Sequence, residues 1–119
     1  MPGPKQIMVM YGTRPEAIKL APLISAIDAS PHMSAIPVVT GQHREMLDQV
    51  NDLFLIKPHH DFDLMVPGAS LNELAVRAHE AAAACIRDVQ PDAVVVQGDT
   101  STAFMCSLAA FYEQVPVIH

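Results

Sequence analysis

Runs of strand length rich in Val, Ile and Met alternate along this chain with segments of helical period, and that alternation leaves few architectures open. The runs lie near Ile7–Tyr11, Ile36–Thr40, Ala93–Gln97 and Val115–Ile118, with a weaker one at Asp61–Leu64. Strands so uniformly apolar are buried on both faces, the habit of parallel sheets joined by crossover helices. The pattern predicts an α/β fold: a Rossmann-like parallel sheet with helices on both faces. At 119 residues, the chain is one domain at most.

Four helices are expected between the strands. The first runs from Pro15 to about Asp28, with Ala17, Ile18, Ala21, Ile24 and Ile27 as its apolar face. Pro22 removes one of its backbone bonds and predicts a kink or break there. The second, about Arg44–Phe54, buries Met46, Leu47, Val50, Leu53 and Phe54. The third opens on the capping box Ser70-Leu71-Asn72-Glu73 and carries Leu71, Leu74, Ala78, Ala82, Cys85 and Val89 until Pro91 stops it. The fourth, Thr100 to Tyr112, is apolar nearly all round and is expected to be the most buried.

Two strand-to-helix junctions carry the chemistry. Ile7–Tyr11 runs into Gly12-Thr13-Arg14-Pro15-Glu16-Ala17-Ile18-Lys19, and Ala93–Gln97 into Gly98-Asp99-Thr100. Parallel sheets keep their ligands at such carboxyl ends. Gly12 permits a tight turn, Pro15 suits the first helical position, and Arg14 offers a planar fork of donors to a phosphate or carboxylate. Lys19 supplies a second charge for a diphosphate, or else pairs with Glu16 on an exposed face. Asp99 can orient a hydroxyl or move a proton, or it shares with Thr100 the capping of the fourth helix. Gln42-His43-Arg44-Glu45 follows the second strand, where it either lines the same crevice or forms a solvated helix start.

Composition removes several classes of function. A net charge of −6 without a basic stripe or tail argues against nucleic acid and anionic membrane as partners. A lone Gly12 is not a dinucleotide fingerprint, so no redox cofactor is expected. His59-His60-Asp61 with Asp63 matches no zinc spacing, and no metal is expected. The methionines read as core filler. Cys85 and Cys106 form neither a CxxC pair nor a disulfide framework and read as reduced buried thiols, which with the absence of a secretory leader places the chain in the cytoplasm.

Taken together, Gly12–Lys19, Gln42-His43-Arg44-Glu45-Met46-Leu47-Asp48-Gln49-Val50, Pro91-Asp92, Gly98-Asp99-Thr100 and Ser107-Leu108-Ala109-Ala110-Phe111-Tyr112 closely resemble the non-hydrolysing UDP-N-acetylglucosamine 2-epimerases. The resemblance spans Ile7 to His119. It implies the N-terminal half of a glycosyltransferase-B-like two-domain fold, with residues 1–119 a partial nucleotide-sugar domain and a C-terminal UDP-binding domain lying outside this chain. It also implies a cofactor-free interconversion of UDP-GlcNAc and UDP-ManNAc by loss and re-addition of UDP, in an enzyme that is commonly a homodimer and serves envelope polysaccharide synthesis. By the same resemblance, Arg14 and Lys19 hold substrate near the phosphates. Asp99 is the catalytic carboxylate, and Gln42 and His43 belong to a second, allosteric UDP-GlcNAc site.

Departures from the family pattern bear on how far this carries. Gly68-Ala69 stands where many members have an Arg-Gln or Gly-Gln pair contributing to the allosteric site, which weighs against that regulation. Family members usually continue past the position of His119 into a segment holding an acid/base glutamate, so the chain reads as a fragment expected to be inactive alone. Two other readings stay open: a non-catalytic remnant or interaction domain of this fold, and a related nucleotide-sugar hydrolase or glycosyltransferase.

Overall fold

The computed structural model describes residues 3–41, 44–54, 56–64 and 66–119. Its elements in chain order are β1 (Lys5–Tyr11), α1 (Arg14–Ala29), β2 (Met33–Val39), α2 (Arg44–Leu53), β3 (His60–Asp61), α3 (Leu71–Val89), β4 (Ala93–Val95), α4 (Ser101–Tyr112) and β5 (Val117–Ile118). The five strands form one sheet in the order β3-β2-β1-β4-β5, and every pairing is parallel. The chain winds outward from β1 to β3, then returns through α3 to β4 on the other side. Strand order therefore reverses between β1 and β4, and a crevice at that reversal is where open α/β sheets take their ligands.

Alternation along the strands divides the core into two layers. Met8, Met10, Ile36, Val38, Val94 and Val96 face α3 and α4, packing on Ala82, Cys85, Ile86, Ala103, Cys106 and Ala109. Val9, Tyr11, Val39 and Val95 face the other way, onto Ala17, Leu20, Ala21, Ile24 and Ile27 of α1 and Val50 of α2. Helices thus cover both faces, as the apolar strands require. Pro37 sits within β2 yet costs the sheet little: its carbonyl accepts from the His59 N–H at 2.7 Å, just before β3 begins.

Several expectations from the sequence are corrected. Helix α1 passes through Pro22 without a break, and its first residue is Arg14, with Pro15 in the second position and Thr13 at the cap. Ile18, Leu53, Phe54 and Leu71 are exposed, because each lies at the flank of its helix's apolar stripe or at its end. Helix α4 has the largest buried share of the four among the described side chains, as expected, but it is not buried on every side. It sets the small residues Ala103, Cys106, Ala109 and Ala110 against the sheet, which allows close approach, and leaves Phe104, Phe111 and Tyr112 in solvent. Gln42 and His43 lie outside the described residues, as do the side chains of Met46 and Leu47. Among the described residues, no helix is long and apolar enough to cross a membrane.

Candidate functional site

Strand register brings the two junctions side by side. Ile7, Met8 and Val9 of β1 pair with Ala93, Val94 and Val95 of β4. Continuing that register by three residues sets Gly12 level with Gly98, just past the ends of the two strands. On its other flank Tyr11 pairs with Val39, so Thr40 falls level with Gly12. All three turns open on the same edge of the sheet.

The crowding at Gly12 explains its identity. A Cβ there would fall well inside contact distance of Thr40 Oγ1 and 3.0 Å from Thr102 Oγ1. Gly98 is glycine for a different reason: its φ of 88° is a backbone conformation that side chains disfavour, although the space around it is open enough to hold one.

Between the two glycines lies Glu16, for which the helical spacing offers an exposed pairing with Lys19 as one alternative. It is instead 3% exposed. Its Oε1 accepts from the Gly12 N–H at 2.8 Å and the Thr13 N–H at 3.2 Å. Its Oε2 accepts from the Thr100 hydroxyl at 2.6 Å, across the strand reversal. One carboxylate therefore pins the β1–α1 turn to the β4–α4 turn. The thiol of Cys106 is pushed up to about 12, chiefly by burial and in smaller part by the Glu16 charge. The signal was present in the sequence: Thr13-Arg14-Pro15-Glu16 has the spacing of a capping box, the same spacing that marks Ser70 and Glu73.

The capping question at the second junction is settled by Thr100. Its hydroxyl oxygen accepts from the Ala103 N–H at 3.1 Å, and Asp99 stands exposed beside it. The Asp99 carboxylate is thereby left at the rim, one residue from a side chain that Glu16 holds. His119 closes this side, its Nε2 donating to the Gly98 carbonyl at 2.8 Å.

Arg14 is exposed in the first turn of α1, next to the pinned Thr13. Lys19 is exposed too, but a five-residue step puts its backbone about 7.5 Å down the helix and about 140° round from Arg14. The backward tilt of helical side chains lets a lysine stem lean towards the rim. The structure thus brings Arg14 and Asp99 to adjacent turns and sets Lys19 one layer below. Gly68 lies in an exposed turn before α3 with a φ of 80°. Among the described residues, no group of three His, Cys, Asp or Glu is arranged to hold a metal ion.

The arrangement can bind a polar ligand whose acidic part meets a guanidinium and whose hydroxyl-bearing part meets a carboxylate. A family model described as UDP-N-acetylglucosamine 2-epimerase matches residues 25–119. A curated relative of that description from Salmonella typhimurium strain LT2 is 49% identical over 114 residues, which is 96% of this chain and 30% of the relative. The crystal structure of UDP-GlcNAc 2-epimerase from Neisseria meningitidis, bound to UDP-GlcNAc, superposes with a TM-score of 0.90 at 44% identity, over 94% of this chain and 30% of that one. Acinetobacter baumannii MurG, at a TM-score of 0.74 and 19% identity over 96% of this chain and 34% of its own, shares the glycosyltransferase-B-like fold alone. The chain spans about 30% of the length of the curated relatives it matches.

Proposed function

The chain belongs to the UDP-N-acetylglucosamine 2-epimerase family, and we propose that it forms the N-terminal wall of the nucleotide-sugar cleft in a cytoplasmic, homodimeric enzyme of that activity. The reaction interconverts UDP-GlcNAc and UDP-ManNAc for envelope polysaccharide synthesis. One observation carries the reading: Arg14 and Asp99 sit on neighbouring turns at the strand reversal, coupled through the Glu16–Thr100 hydrogen bond of 2.6 Å.

The chemistry explains why such a pair is wanted. The proton at C2 of the sugar is weakly acidic, so its removal has to be coupled to departure of UDP from C1. Cations that gather charge on the leaving diphosphate lower that barrier, and a positioned carboxylate orients the sugar or carries a proton. Arg14, with Lys19 leaning up from the next turn, takes the first role, and Asp99 takes the second. Re-addition of UDP with protonation from the other face completes the inversion, and no redox cofactor enters. By resemblance Gln42 and His43 correspond to a second UDP-GlcNAc site, and Gly68-Ala69 weighs against that site working here. With one wall of the cleft present, the isolated 119-residue chain is expected to give no turnover.

The test is epimerisation of UDP-GlcNAc in deuterated water by this chain joined to the length over which its relatives continue. The expected product is UDP-ManNAc labelled at C2, and Asp99→Asn is expected to lower kcat by about 10²- to 10⁴-fold. Undiminished kcat in that variant, or UDP and free sugar as the products, would sink the proposal.

A further inference from the structure

The geometry points to Glu16 as a positioning residue that fills the anion niche at the N-terminus of α1 from within, so that a substrate diphosphate is held by side-chain cations and not by the β1–α1 backbone. In parallel α/β sheets the first N–H groups after β1 commonly collect phosphate oxygens, helped by the helix dipole. Here the Gly12 and Thr13 N–H groups both donate to a single carboxylate oxygen of the protein, at 2.8 and 3.2 Å. The carboxylate is buried at 3% exposure, and its other oxygen is held by Thr100 at 2.6 Å. A phosphate entering this niche would find both donors taken and a negative charge in place.

Two consequences follow for the ligand. Its diphosphate has to lie outward, over Arg14 and towards Lys19, which leaves the floor between Gly12 and Gly98 to the uncharged sugar. The same hydrogen bonds also fix the distance between the turn carrying Arg14 and the turn carrying Asp99, so a phosphate contact and a carboxylate contact are set in register by one residue. The identity of the ligand rests on the nucleotide-sugar reading above; the filling of the niche does not.

Inorganic pyrophosphate titrated into the isotopically labelled chain, followed by nuclear magnetic resonance, tests the inference residue by residue. In the wild-type chain the Arg14 and Lys19 side-chain signals are expected to move while the Gly12 and Thr13 amide signals stay. In Glu16→Ala those two amides are expected to respond, and pyrophosphate to bind about tenfold tighter, the scale of amide hydrogen bonds at a helix N-terminus. A response of Gly12 and Thr13 in the wild type as strong as in Glu16→Ala would overturn the inference, as would unchanged affinity in the variant. If Glu16→Ala does not fold, Glu16→Gln keeps the shape and removes the charge. Tightening of about threefold is then expected, and no tightening refutes the inference. Silence of Arg14 and Lys19 in the wild type would count against the nucleotide-sugar reading and leave the Glu16 comparison standing.

Discussion

Replacing Gly12 with alanine tests whether the turn after β1 is as tightly boxed in as the structure makes it. The backbone itself offers no objection, since the positive-φ glycines are Gly41, Gly68 and Gly98. The objection is space. The new methyl would overlap Thr40 Oγ1 and stand 3.0 Å from Thr102 Oγ1 and 3.2 Å from its Cγ2. Thr40 is fully buried and β-branched, so rotating its side chain swaps a hydroxyl for a methyl without clearing room. The turn must move instead, and overpacking of this kind costs about 1–3 kcal/mol. At the middle of that range the melting temperature falls by roughly 6–10 °C for a domain of this size. Urea unfolding of the purified chain measures the loss. Thr40→Ala in the same background should recover part of it, with a coupling of about 1 kcal/mol, because the Thr40 hydroxyl has no partner to lose among the described residues. A Gly12→Ala chain within about 0.5 kcal/mol of wild type, or a double variant showing no recovery, would refute the account of this turn.

Thr100→Ala should cost about 2–3 kcal/mol, from the lost cap on α4 and the lost hydrogen bond to a charged acceptor, whereas Asp99→Ala should stay within about 0.5 kcal/mol; urea midpoints of the two variants decide it, and equal losses would mean the cap is misassigned. Alkali should weaken the fold from about pH 9 upward. Burial pushes Cys85 up to about 11, Cys106 up to about 12 and Tyr11 up to about 12. In the unfolded chain these groups ionise at about 9 for the thiols and about 10 for the phenol, so the unfolded state sheds protons first. Stability is then fully present below pH 9 and is lost as pH rises towards 12. Unfolding free energies measured between pH 8 and 11 in the wild type and in a Cys85→Ala, Cys106→Ala double variant check the sign, and a wild-type slope no steeper than the variant's would contradict it.

What the sequence disclosed depended on how local the deciding interaction is. Ser70 accepts from the Glu73 N–H at 3.1 Å, three residues on, and the capping box was readable for that reason. The end of α3 was readable through Pro91, with Gln90 taking the left-handed cap at a φ of 54°. The strands were readable because burial on two faces leaves an unbroken apolar run, while their edges shifted by one to three residues. The heavy burial of α4 was readable from its hydropathy, but the side that meets the sheet was not, because hydropathy alone does not say where the small residues lie. Ala103, Cys106, Ala109 and Ala110 form the contact, and Phe104 and Phe111 do not.

Glu16 marks the boundary of local reading most sharply. The helical rule sees Lys19 three residues away and assigns a surface pair. Thr100, 84 residues away, is the partner that matters, and it becomes a neighbour only when β1 and β4 lie side by side. The strand pairing therefore does more than support the site. It converts a residue with a weak surface role into the fixed point between two turns, and it decides which side chains remain at the rim. Arg14 and Asp99 stay exposed because Glu16 and Thr100 have taken over the capping and turn-closing work that their neighbours could otherwise have drawn them into.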